Sequence, residues 1–158
     1  MRKMIVLAGA MMAVAGIAYG VAAQDKAAIV KKRQDTMKRQ AANLKYLANF
    51  AKGTGGDQAD AGARVHELQS ISGELIALFP PGTSSADLPN VKTYARPEIW
   101  TNYAEFKTIP PRVADLETAL GDAVQKGDRR AILVAIGNLG KNGCGACHSK
   151  FREKLPQE

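Results

Sequence analysis

The residues with the clearest chemistry lie near the C-terminus, where the chain reads Cys144-Gly145-Ala146-Cys147-His148. No other cysteine is present. Helix positions three apart share a face, so the two thiols can add to the two vinyl groups on one side of a haem. His148 follows directly, and its imidazole can reach the iron as an axial ligand. A C-x-x-C-H run is the signature of covalent haem c attachment. Two other readings compete with it, an incidental thiol pair and a redox dithiol. Reactive C-x-x-C pairs sit at a helix N-terminus beside a βαβ pattern. Here the pair falls deep in a helical stretch, with no strand pattern nearby.

A second axial ligand has two conventional candidates. Arg2 and Lys3, the apolar run Ile5 to Tyr19 and the small residues Val21-Ala22-Ala23 together form a secretory signal peptide. The expected cleavage follows Ala23, leaving residues 24–158 as one domain in the periplasm. The apolar run is shorter than the roughly 20 residues needed to span a bilayer, so no stable membrane anchor is expected. Haem c is attached outside the cytoplasm in bacteria, so leader and motif require the same compartment. Met1, Met4, Met11 and Met12 leave with the leader. Met37 then remains as the one methionine, and His66 as the one histidine besides His148. Met37 lies on an apolar helix face, where methionine commonly packs into a core. His66 sits beside Glu67, which points to a surface or edge position.

The elements that must position these residues are helical. Val30, Met37, Ala41, Leu44, Ala48 and Ala51 recur at spacings of three, four or seven, predicting a helix over 26–52. A second helix is predicted over 58–79, with Val65, Leu68, Ser72, Leu75 and Phe79 on one side. Gly53-Thr54-Gly55-Gly56-Asp57 joins the two as a short loop. The prolines of 80–97 forbid a regular element and predict a long crossover. A third helix is predicted over 98–125, with Trp100 on its apolar side and a kink or break at Pro110-Pro111. Asp128 is an N-cap candidate for a fourth helix over 129–154, which carries the C-x-x-C-H run. No stretch alternates with period two. The fold expected is all-α, an antiparallel four-helix bundle with the long crossover between helices 2 and 3.

Several segments resemble the cytochrome c′ family, the class II c-type cytochromes. Lys32-Arg33-Gln34-x-x-Met37 is similar to the family's Arg-Gln-x-x-Leu/Met segment. Phe79-Pro80-Pro81-Gly82-Thr83 resembles its crossover, and Arg96-Pro97-Glu98-Ile99-Trp100 the start of its third helix. Cys144 to Arg152 resembles its C-terminal haem segment. The resemblance implies haem-propionate contacts for Arg33 and Gln34, a place near the proximal side of the haem for Arg152, and a distal position for Met37. It also implies that members often dimerise through the first two helices. Gly140, Gly143 and Gly145 are poor helix formers, and close approach of a porphyrin would explain them.

The leading expectation is a periplasmic electron carrier, a low-spin member with His148 and Met37 on iron and redox proteins as partners. The alternative is a five-coordinate member that binds nitric oxide or carbon monoxide. The formal net charge of +7 falls by two with the leader, and a modest positive charge favours an acidic redox partner. No aromatic-interleaved basic patch predicts nucleic-acid binding. No acid–base or nucleophile constellation predicts an enzyme.

Overall fold

A computed structural model describes the backbone of residues 14–154 and the side chains of residues 25–154. Helices α1 (Val14–Lys52), α2 (Gln58–Glu74), α5 (Ile109–Gln125) and α6 (Arg129–Asn138) form the bundle. A 3₁₀ turn, Leu75–Leu78, extends α2, and two short helices, α3 (Glu98–Thr101) and α4 (Tyr103–Phe106), precede α5. A π-helical segment, Leu139–Cys144, leads from α6 into α7 (Gly145–Phe151). Helix α2 packs on α1 and α5, and α6 packs on α5 and α1, which closes a four-membered ring. Among the described residues there is no strand, only an isolated antiparallel bridge between Ala95 and Arg152.

Local chemistry sets the boundaries. Asp57 caps α2 by accepting from the Asp60 amide at 2.8 Å, and Asp128 caps α6 through the Ala131 amide at 2.9 Å, as expected. Pro110 and Pro111 fall in the first turn of α5, where a missing N–H removes no helical bond. The third helix is therefore broken rather than kinked, and its first part survives only as α3 and α4. Helix α1 reaches back to Val14, earlier than expected, because the alanine-rich stretch up to Val30 holds no proline to stop it. Residues 1–13 of the expected leader lie outside the described residues. Among the described helices none is long and apolar enough to cross a membrane.

The closed core lies toward the end of the bundle that holds the 53–57 loop. Leu47, Leu68, Leu120 and Ile132, one from each rod, are at most 1% exposed. Each such burial stabilises the fold by about 1.5–3 kcal/mol. At the other end the rods part, and the crossover packs across the opening.

Candidate haem site

The C-x-x-C-H run spans an irregular joint. The Gly145 amide bonds to the Gly140 carbonyl, one residue farther back than in an α-helix. Such π-turns shift the face that a helix presents and recur at functional sites. A Cβ on Gly145 would stand 3.0 Å from the Gly140 oxygen. A Cβ on Gly143 would meet Leu139 at 3.0 Å and Val113 of α5 at 3.3 Å. Contacts within the chain thus already require the absence of a side chain at Gly143 and Gly145.

The crossover fixes α7 from outside. The Arg96 amide donates to the Phe151 carbonyl at 3.1 Å, and the Glu153 amide to the Tyr94 carbonyl at 2.9 Å. Lys150 pairs with Glu105 of α4. Phe151 meets Phe106 edge-on at 5.4 Å between ring centres, and Phe106 meets Phe79 at 5.0 Å. The Trp100 indole N–H donates to the Phe79 carbonyl at 3.1 Å, so Trp100 is a packing residue. His148 therefore stands on a short helix held by backbone bonds, an ion pair and an aromatic chain.

A cavity of about 470 Å³ opens between α1, the 3₁₀ turn, the crossover and α7. That size lies within the range of about 300–1,000 Å³ usual for small-molecule and cofactor sites. Met37 from α1 and His148 and Cys147 from α7 line it, with apolar walls from Leu75, Phe79, Ile99 and Phe151. Arg33, Gln34 and Arg152 border it as well. Cys144, one turn earlier, is half-buried against the core rather than on the cavity wall. His66 is exposed on α2 and does not reach the cavity. The structure thus brings together every expected site residue except Cys144, which lies alongside.

Arg33 has a structural task besides the propionate contact expected of it. It is 4% exposed. Its two terminal nitrogens donate to the carbonyls of Leu78 and Thr83 and to the hydroxyls of Thr83 and Thr93, at 2.8–3.4 Å. Its guanidinium also stacks 4.6 Å from the Phe79 ring centre. All four terminal N–H groups are spent on the 3₁₀ turn and the crossover, so Arg33 is a strut and keeps only its Nε–H for a propionate. Gln34 donates to the Lys92 carbonyl at 2.6 Å. Lys38 and Lys92 line the cavity and are exposed, and no Asp or Glu lines it. Sequence reasoning missed both lysines, because nothing in a surface lysine's neighbours marks it.

Burial, aided by the Arg152 charge, holds the His148 imidazole below its ordinary pKa. The ring is neutral near pH 7 and has a lone pair for a metal. Burial pushes the Cys147 thiol up to about 11 and raises Cys144 as well. A reactive redox thiol shows the reverse.

The cavity and its donors fit a haem. Cys144 and Cys147 would hold it, and His148 would ligate its iron. Lys38, Lys92, Arg152 and Gln34 would meet the anionic propionates. A covalent haem site at one end of a four-helix bundle defines a bundle-type c-type cytochrome. Comparison with known proteins gives the same class. The family model described as Cytochrome C' matches residues 28–152. A cytochrome c′ of Alcaligenes xylosoxydans xylosoxydans is 33% identical over 79% of this chain and 93% of its own length. That of Pararhodospirillum photometricum is 32% identical over 80% and 97%. A solved cytochrome c′ superposes with a TM-score of 0.69 at 30% identity, covering 81% of this chain and 97% of the other. A ferrous variant of the Alcaligenes xylosoxidans protein with bound NO gives 0.67 at 31% identity, over 80% and 94%. The chain belongs to the cytochrome c′ family, and carries one covalently attached haem c.

Proposed function

We propose that this protein binds nitric oxide or carbon monoxide at its haem iron, with His148 as the single protein ligand. The observation that carries the reading is the wall of the cavity. Beside His148 it offers Met37 and apolar side chains, and the nearest buried donor, Arg33, has spent its terminal N–H groups on the 3₁₀ turn and the crossover. Apolar walls, with the free cations Lys38 and Lys92 at the exposed rim, give bound dioxygen no buried hydrogen bond and suit diatomics that need none. A relative of the same fold carries NO on ferrous iron, which supports the reading. The haem supplies the binding iron. The chain presents a neutral imidazole, keeps water out with Leu75, Phe79 and Ile99, and offsets the propionates with Lys38, Lys92 and Arg152. No catalytic step belongs to this function. Export and removal of residues 1–23 do.

One observation favours a second reading, the low-spin electron carrier. Met37, the one thioether beyond the leader, lines the same cavity as His148. A histidine–methionine pair would raise the reduction potential and fill the sixth position. Carbon monoxide titration of the reduced protein separates the two. Rapid, saturable binding by wild type, little changed in Met37→Ala, is the expected result. Binding that appears only in Met37→Ala would establish the carrier instead.

A further inference from the structure

Glu117 is the one buried carboxylate among the described residues, 1% exposed in the middle of α5. Its Oε1 accepts from the Ser72 hydroxyl of α2 at 2.8 Å, and Ser72 is itself 3% exposed. Its Oε2 is buried and meets no partner. Gln40, half-buried on α1, stands with its Nε2 3.5 Å from the Ser72 oxygen. Gln40, Ser72 and Glu117 thus form a polar line from the α1–α2 seam into the core.

Helix α5 packs against α2, α6 and the π-turn. From α2 the group facing Glu117 is Ser72. From the π-turn it is Cys144, whose thiol the Glu117 charge makes harder to ionise. No ion pair among the described residues includes Glu117. A carboxylate there has one hydrogen bond and no compensating cation. Burial accordingly raises it above the usual carboxylate range, and the Ser72 bond pulls it partly back.

Glu117 stands on the helix against which the haem-bearing π-turn packs, and its neighbour Leu116 lies against Gly143, next to the anchoring Cys144. In a weakly screened interior a carboxylate and an added electron so placed repel each other. We propose that Glu117 is a redox-linked proton site, protonated from solvent when a one-electron donor reduces the haem iron. Ferric iron gains one electron, an O–H bond forms on Glu117, and the net charge of the buried region is unchanged. Reoxidation returns the proton. The inference requires the covalent haem and holds whether a gas, Met37 or nothing takes the sixth position.

The test is a redox titration of the purified holoprotein across pH, paired with reduced-minus-oxidised infrared difference spectra. In wild type the midpoint potential should fall as pH rises above the usual carboxylate range. The slope should approach 59 mV per tenfold change in proton activity. Reduction should add a carboxylic-acid carbonyl band. Glu117→Gln preserves the shape and the Ser72 bond, and should lose both the band and this slope. Ser72→Ala removes a bond that favours the carboxylate, and should move the sloping window to higher pH. A purely structural carboxyl would leave slope and band untouched in Glu117→Gln, and that result overturns the proposal by assigning the coupling to the propionates. A wild type without the carbonyl band overturns it too. If Glu117→Gln does not fold, Ser72→Ala decides, and an unmoved window refutes the proposal.

Discussion

Arg33 shows how one side chain can be identified by its position and yet carry a task that its motif does not announce. Its place in the Arg-Gln-x-x-Met segment suggests a propionate contact, but its terminal N–H groups hold the crossover onto α1. Arg33→Ala would take the donor from the Leu78 and Thr83 carbonyls and the Thr83 hydroxyl, while Thr93 keeps the Ala95 amide, and should cost about 3 kcal/mol in urea unfolding. The haem spectrum should stay nearly the same. Arg33→Lys keeps the charge but not the fork, and should recover less than half of that loss. An unchanged stability with a shifted potential would restore the propionate role. Glu117 gives a second prediction at this scale. Its folded-state pKa lies above its unfolded value near 4.5, so the native state binds the extra proton. The stability it contributes is complete below that unfolded value and is lost as pH rises through the folded one. Thermal melts of the oxidised protein should show this decline, and Glu117→Gln should remove it. Neither the Glu117–Ser72 pair nor the cavity lysines could be read from the chain, because a helix pattern marks Glu117 only as a polar residue between Leu116 and Thr118.

The helices were legible from spacing because their apolar faces must meet in one core. Asp57, Asp128 and the prolines at 110 and 111 announce their boundaries through capping and missing N–H groups. The π-turn was not legible, since Leu139 to Cys144 satisfies the α-helical period and the extra residue arises from packing on α5. Gly143 is the most sensitive point of that joint. Gly143→Ala would force a methyl against Leu139 and Val113, and should cost about 1–3 kcal/mol by overpacking. Chemical unfolding of the holoprotein would measure it. The crossover was legible only as irregular chain. Its turn at Gly82 needs a positive φ of 78°, and Thr83 then donates to the Pro80 carbonyl at 2.8 Å. Gly82→Ala places a side chain where L-residues are strained and should loosen the cavity wall through Thr83 and Arg33, lowering the melting temperature by several degrees.

The whole molecule is a solid core at one end of the bundle and a cofactor cavity at the other, joined by α1 through its full length. Three cations, Lys38, Lys92 and Arg152, line the cavity and suit the two carboxylates of a haem. The proposed export fits this arrangement, because the covalent link of a haem c is made outside the cytoplasm in bacteria. N-terminal sequencing of the periplasmic protein should begin at Gln24, and a retained Met1 in a membrane fraction would contradict the leader. The choice between gas binding and electron transfer rests on one atom, the Met37 sulfur. It is settled most directly by low-temperature electron paramagnetic resonance of the oxidised wild type near pH 7. The account predicts the axial signal of high-spin ferric haem with one histidine ligand. A rhombic low-spin signal, with a sulfur-to-iron charge-transfer band in the near infrared, would place Met37 on the iron and contradict it.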